Sequence, residues 1–369
     1  MSAASRGPGA SVDVEAVADG EQRAGVAVEA VADGEQRAGV AVKAVADGGE
    51  RVLSEPAAGD ALARPGELVL ASERWRLGVL PDLGGCWSFG RIRVGERWVD
   101  LLRPTPAGAL GNPEQTASFP LIPWSNRIRH GVLDWAGERH QLVRNGADGT
   151  AIHGAVRQLP WRVVGHEPHR LELALSSYDA VGVNWPWRFA ARQVLSLVGD
   201  ALEVQLSVTN EDSVAFPAGL GHHPYFQRAL FDDDAVLQVD AHAGYELDAG
   251  IALGAAGQLP ARADFREPRT LGPDFVDDVL TDLGPTAARW HYPDAGVEVS
   301  LVADDVYSHL VVYLPVGKDH FAVEPVSHTN DGIALHGRGV PATGVRVLEP
   351  GETLTGTFTL AAAEQPAGR

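Results

Sequence analysis

From about residue 67 onward the chain is a succession of short apolar–polar alternations separated by turn signals, and no segment carries a long helical stripe. An alternation of period two puts successive side chains on opposite faces of a strand. VLDW-AG-ERHQLV (132–143) and WRVVGHE-PH-RLELALSS (161–177) read as hairpins. So does FAARQVLSLVGDALEVQLSVTN (189–210), where Gly199-Asp200 supplies the positive-φ turn. ARWHYPDAGVEVSLVAD (288–304), SHLVVYLP (308–315) and ETLTGTFTLA (352–361) continue the pattern. So many antiparallel strands must hide their faces against one another. The expected fold is all-β, a large antiparallel β-sandwich formed as one domain by residues 67–365.

A different character precedes it. VEAVADGEQRAGVA at 14–27 recurs unchanged at 28–41 and decays to VKAVADGGERV at 42–52. The unit is rich in Ala, Gly and acidic residues and has no aromatic, so burying it would not offset the entropy of ordering it. Residues 1–60 are expected to be a disordered tail. Lys plus Arg total 30 against 49 Asp plus Glu, a net charge of -19, which repels phosphate backbones and argues against a nucleic-acid partner. No stretch approaches the roughly 20 apolar residues of a membrane span. The start, MSAASRGPGASVDVEA, lacks the basic and apolar regions of a secretory signal, so a cytoplasmic location is expected. The single cysteine, Cys86, allows no intrachain disulfide and no thiolate zinc site, and reads as a small buried residue.

Five stretches hold side chains suited to chemistry. In PAGLGHHPYF (217–226), His222 and His223 are adjacent, so in a strand they face opposite ways and do not easily chelate one metal. One is expected to face a cavity and the other to pack. Pro224 keeps His223 extended and suits a strand end. In DHFAVEPVSH (319–328), His320, Ala322 and Glu324 share one face, and Glu324 lies in an apolar setting. Such a carboxylate is either paired with a cation or a proton acceptor with a raised pKa. LIPWSNRIRHG (121–131) crowds Asn126, Arg127 and Arg129, the two arginines sharing a face if extended. GTAIHGAVR (149–157) sets His153 in an apolar run, and DFVDDVLTDL (274–283) offers Asp277 and Asp278, either as a turn cap or as hydrogen-bond acceptors for a ligand. There is no Gly-rich phosphate loop with a Lys, no nucleophile elbow and no His-x-His metal motif.

Together, SNRIRHG (125–131), AIHG (151–154), GVNWPWRFAARQVLSL (182–197), GLGHHPYF (219–226), FVDDVLTDL (275–283) and FAVEPVSH (321–328) resemble the galactose mutarotase (aldose 1-epimerase) family from about residue 67 to the C-terminus. The resemblance implies the supersandwich fold of that family, with a sugar cleft on one face. It also implies a proton acceptor at Glu324, a proton donor at His223, and substrate contacts from His153, Arg127, Asn126 and Asp277, with Asp278 as the alternative register. Trp185 is added as a ring for stacking on the sugar. The sequence departs from the galactose-specific pattern at His222, at Gln227-Arg228 and at Gly154-Ala155, which bears on sugar preference rather than on proton chemistry.

The implied reaction interconverts the α and β anomers of a free aldohexose and needs neither a cofactor nor a metal. A base takes the proton of the C1 hydroxyl while an acid protonates the ring oxygen. An ionised Glu324 and a protonated His223 on opposite sides of one pyranose meet that need. The alternatives are a hexose-6-phosphate mutarotase, with Arg129 and Arg228 as its only candidate phosphate ligands, and a non-catalytic carbohydrate-binding sandwich. The partner in every case is a small-molecule sugar; the oligomeric state is not read from the sequence.

Overall fold

The computed structural model describes residues 66–109 and 111–365; the repeated segment of the tail lies outside them. Alternation builds the strands as expected. In Phe189–Val198, Phe189, Ala191, Gln193, Leu195 and Leu197 turn inward, and in Ala201–Asn210 the inward set is Leu202, Val204, Leu206, Val208 and Asn210. The two pair from Phe189↔Asn210 to Val198↔Ala201 across the Gly199-Asp200 turn. The other two hairpins also form, Val132–Trp135 with Glu138–Gln141 and Arg162–Glu167 with Arg170–Ser176. Eighteen strands join one antiparallel sheet, which folds over a core holding Trp75, Trp87, Trp124 and Trp290. The one α-helix among the described residues, Gly332–Gly337, is short. Among the described residues, no helix is long and apolar enough to cross a membrane.

One of the longer strands carries the site. His320–Val326 is buried along its whole length, so both of its faces are covered. Phe321 and Val323 pack on the main core. Glu324 lies on the other face, where Val326 belongs to a second hydrophobic cluster with Phe119, Leu121, Tyr225, Val279 and Val311. Tyr225 and Val311 of that cluster line a cleft.

Two expectations are corrected here. DFVDDVLTDL is not a turn but the start of the long strand Val276–Tyr292. Arg127 and Arg129 do not share a face: Arg127–Ile128 pairs with Ala151–Ile152, and the chain then turns through a 3-10 segment at Arg129–Gly131 with His130 in the left-handed region.

Candidate active site

Two strands bring the principal pair together. Gly221–His222 and Tyr225–Gln227 both run antiparallel to His320–Val326, with Gly221↔Val326 and Tyr225↔Ala322 as partners. Continuing that register across the gap sets His223 opposite Glu324. Directly opposed side chains on one sheet face are neighbours, and His223 Nε2 lies 3.3 Å from Glu324 Oε1. Pro224, which has no N–H to give a ladder, occupies the break between the two short strands.

The adjacent histidines divide as alternation requires. His222 is fully buried and packs on Trp87, with ring centroids 4.2 Å apart and planes tilted by 33°. Its Nδ1 accepts from the Ser118 hydroxyl at 2.6 Å and its Nε2 donates to Gln193 Oε1 at 3.2 Å. Burial pushes its pKa down to about 3, so it is a neutral structural residue. His223 faces the cleft.

The cleft encloses about 490 Å³ and is lined by His223, Glu324, His153, Asn126, Arg127 and Asp277, among others. His153 meets His223 edge to face at 5.2 Å, and Phe119 packs on both rings. His153 is held there by a strained backbone, with φ 66 at His153 and φ 72 at Gly154. A Cβ at Gly154 would come within 2.5 Å of the Ile122 backbone, so only glycine fits after this histidine. The His153 N–H donates to the carbonyl of Asn126, itself in the left-handed region, at 2.9 Å. Positive φ in these two hydrogen-bonded non-glycine residues gathers backbone strain in the lining of the cleft.

Arg127 is gripped from both ends: Nε donates to Asp148 at 2.9 Å and Nη2 to Asp277 at 3.3 Å. Burial works against its charge, but the two carboxylates, Asp277 foremost, outweigh it and hold the guanidinium protonated. Asp278 turns to the other face and makes a bidentate pair with Arg262, both bonds 2.7 Å. Asp277 is therefore the member of the pair that reaches the cleft.

The electrostatics of the central pair run one way. Burial pushes the Glu324 carboxyl well above the usual carboxylate range, with Asp277 adding to the effect and Arg127 opposing it. Burial pushes His223 well below the usual imidazole range, and Arg103 and Arg157 push further. His153 is lowered by the same causes, burial first and then the neighbouring His223 and arginines. The expected resting form, carboxylate beside imidazolium, is thus opposed on both partners. A neutral carboxylic acid beside a neutral imidazole holds the same single proton, so the pair titrates as a unit. His153 Nδ1, His223 Nδ1 and Glu324 Oε2 are buried without a hydrogen-bond partner. Buried polar atoms are seldom left so, and three around one cleft mark a place for a polyhydroxylated ligand.

A family model for aldose 1-epimerase matches residues 79–361. The chain belongs to the aldose 1-epimerase family. It is an isomerase with sugars as its substrate class. It is 28% identical over 276 residues to the uncharacterised protein YphB of Escherichia coli (strain K12), covering 70% of this chain and 88% of YphB. Its structure is similar to that of a candidate aldose 1-epimerase from Escherichia coli K12, with TM-score 0.69 and 26% identity over 81% of this chain and 99% of the other. A galactose mutarotase-like protein from Clostridium acetobutylicum shares the fold, with TM-score 0.71 and 17% identity over 80% and 95% of the two chains.

In this epimerase family member, Trp185, expected at the site, lies elsewhere, and neither Arg129 nor Arg228, the phosphate ligands of the alternative reading, lines the cleft. Trp185 is buried in the core and stacks on Trp124 at 5.0 Å, because Trp124, Trp187 and Phe216 surround it with rings. Arg228 is tied to Asp234 at 2.8 Å and caps the Gly272 carbonyl at 2.8 Å, away from the cleft. Glu114, Asp148, Tyr225 and Tyr313 line the cleft without having been singled out in the sequence. Tyr225 was within reach of the alternation rule, two residues after His223. Asp148 sits in a Gly-rich turn and Tyr313 in an ordinary strand, where no local signal marks them.

Proposed function

We propose that the chain interconverts the α and β anomers of a free aldohexose, with Glu324 and His223 carrying the protons and residues 67–365 acting as one catalytic domain. The observation that carries this reading is the 3.3 Å contact between His223 and Glu324 on the floor of the cleft. The C1 hydroxyl oxygen and the ring oxygen are bonded to the same carbon, so a base for one and an acid for the other both belong within reach of C1, and a sugar lying over the pair meets that condition.

In ring opening, the carboxylate takes the C1 hydroxyl proton and the imidazolium gives its own to the ring oxygen. The C1–O5 bond breaks and C1 becomes the aldehyde carbon. The enzyme is left as a neutral acid beside a neutral imidazole, the form that burial favours. Rotation about C1–C2 presents the other carbonyl face, and closure returns both protons. The pair therefore holds one proton at the start, in the open-chain state and at the end. An environment that resists the ion pair lowers the cost of the open-chain state relative to the closed one. His153, Asn126, Arg127 and Asp277 hold the hydroxyls; Arg127, fixed by Asp148 and Asp277, is pre-organised to donate.

Charge favours a neutral sugar over a hexose 6-phosphate. Of the carboxylates lining the cleft, Asp148 and Asp277 engage Arg127, the one guanidinium in that lining, Glu114 is paired with Arg157, and burial opposes ionisation of Glu324. A phosphate would meet more negative than positive charge. The test is polarimetry with freshly dissolved single anomers of glucose, galactose and glucose 6-phosphate. Faster equilibration of a free hexose is expected. Equal or better rates on the phosphorylated sugar reverse the substrate assignment, and saturable binding with no acceleration of any sugar leaves a binding module.

A further inference from the structure

A histidine that gives up a proton is ordinarily oriented by a hydrogen bond at its second ring nitrogen. His223 has none: Nε2 lies against Glu324, and Nδ1 is buried without a partner among the described residues. Packing therefore has to hold the ring. Tyr225 and Phe119 supply it, with centroids 4.3 and 5.0 Å from that of His223. Each of these rings carries a guanidinium in turn. Arg103 lies 3.8 Å from the Tyr225 centroid, and Arg157 lies 5.3 Å from that of Phe119.

The two arginines are held differently. Arg157 is ion-paired with the Glu114 carboxylate. Arg103 follows the strand Arg97–Leu102, and its backbone N–H donates to the Tyr225 carbonyl at 2.8 Å. Its Nη2 donates to the carbonyls of Glu114 and Thr116, both at 2.7 Å. Its Nη1 donates to His320 Nε2 at 3.3 Å, which leaves the His320 Nδ1–H to donate to Asp319 at 3.0 Å. His320, on the strand of Glu324, thus reaches Arg103 rather than the lining of the cleft. Carbonyl oxygens and an imidazole fix the Arg103 guanidinium, and among the described residues no carboxylate is paired with it.

That charge is close enough to matter. The 3.8 and 4.3 Å distances through Tyr225 put it within about 8 Å of the His223 ring. The charged and titratable groups facing that ring are Glu324, His153, Tyr225, Tyr313, Arg103 and Arg157. After burial itself, Arg103 is the strongest influence against a proton on the imidazole. An imidazolium beside such a charge yields its proton more readily, as ring opening requires.

We propose that Arg103 is a positioning residue for the proton transfer: stacked on Tyr225, it holds the His223 ring at Glu324 and supplies the positive charge that makes the imidazolium a ready donor. This rests on the proton chemistry assigned above to Glu324 and His223. The proton passes from the imidazolium to the ring oxygen, which keeps the electron pair of the C1–O5 bond. Arg103 exchanges nothing and touches no sugar atom.

The experiment measures mutarotation of glucose and galactose as a function of pH in the full chain, in Arg103→Met and in Arg103→Lys. Arg103→Met is expected to lower kcat about three- to tenfold and to keep KM within about twofold, since Arg103 does not line the cleft. Without the charge, the pair keeps its single proton, and accepts a second, at higher pH. Both limbs of the kcat/KM profile are therefore expected to move to higher pH by at least about one unit, the worth of a charge at that distance. Arg103→Lys keeps the charge and is expected to keep the limbs of the parent. Should Arg103→Met fail to fold, Arg103→Gln, which retains N–H donors for the two carbonyls, takes its place. A folded uncharged variant with the limbs of the parent overturns the proposal. So does a lysine variant whose limbs move as far as those of methionine, or a loss confined to KM; in each case the roles of Glu324 and His223 stand. No acceleration of either sugar by the parent, or an undiminished kcat in His223→Gln, removes the proton chemistry and this role of Arg103 with it.

Discussion

Replacing Glu324 by Gln tests the central assignment most directly. The side chain is 2% exposed, with Oε1 against His223 Nε2 at 3.3 Å and Oε2 unpartnered. Glutamine keeps the shape and removes the proton acceptor. Loss of a general base costs about 10²–10⁴-fold, or about 3 to 5 kcal/mol in barrier at 1.36 kcal/mol per tenfold. Stability moves the other way. Burial raises the Glu324 pKa above its usual 4.5, so the folded state binds this proton more tightly than the unfolded chain does. That contribution is full below pH 4.5 and is lost as pH rises through the raised value. Glutamine does not ionise, so the variant is expected to be at least as stable as the parent at neutral pH. The assay pairs polarimetric kcat and KM with thermal melting and with calorimetric sugar binding. A folded variant that binds sugar and loses at least about a hundredfold in kcat fits the assignment. Activity within about tenfold of the parent removes Glu324 from the proton transfer, and a fall in melting temperature at neutral pH refutes the account of its burial.

The neighbouring histidines are expected to separate cleanly. His222→Ala leaves the Ser118 hydroxyl and Gln193 Oε1 without their partner and a hole beside Trp87, costing about 2–4 kcal/mol in denaturant unfolding with activity per folded molecule retained, whereas His223→Gln melts near the parent and loses about 10²–10⁴-fold in kcat. Asp148→Asn releases one end of Arg127, so KM is expected to rise several-fold with kcat changed less. Acid is expected to weaken the fold early. His222, His309 and His328, with pKa values of about 3, 3 and 4, stay neutral when folded but take up protons when unfolded, so stability falls as pH drops from about 6.5 toward 4 by roughly 1 kcal/mol per pH unit for each group. Urea titrations at pH 7, 6 and 5 measure that slope.

Strand content was legible because alternation is local: the burial of every second residue in FAARQVLSLV follows from the letters alone. The split between His222 and His223 was legible for the same reason. What the letters did not hold was register. Nothing in HHPYF and VEPV states that His223 stands opposite Glu324, since the pairing is set by Gly221↔Val326 and Tyr225↔Ala322 on separate strands. Trp185 was misplaced because a tryptophan suits a core and a sugar face equally, and only the packing of Trp124 and Trp187 decides between them. Which member of the pair burial favours as the proton's holder was not legible, because that burial is assembled from distant segments.

The break at Pro224 has a consequence for how such a site drifts over generations. Two flanking rungs of backbone fix the imidazole and the carboxyl as a matched couple, so length changes in loops elsewhere leave their meeting undisturbed. An added or deleted residue between Gly221 and Tyr225 acts differently. It swaps which of the twin rings looks out and which is entombed against Trp87, and it strands the carboxyl without its partner.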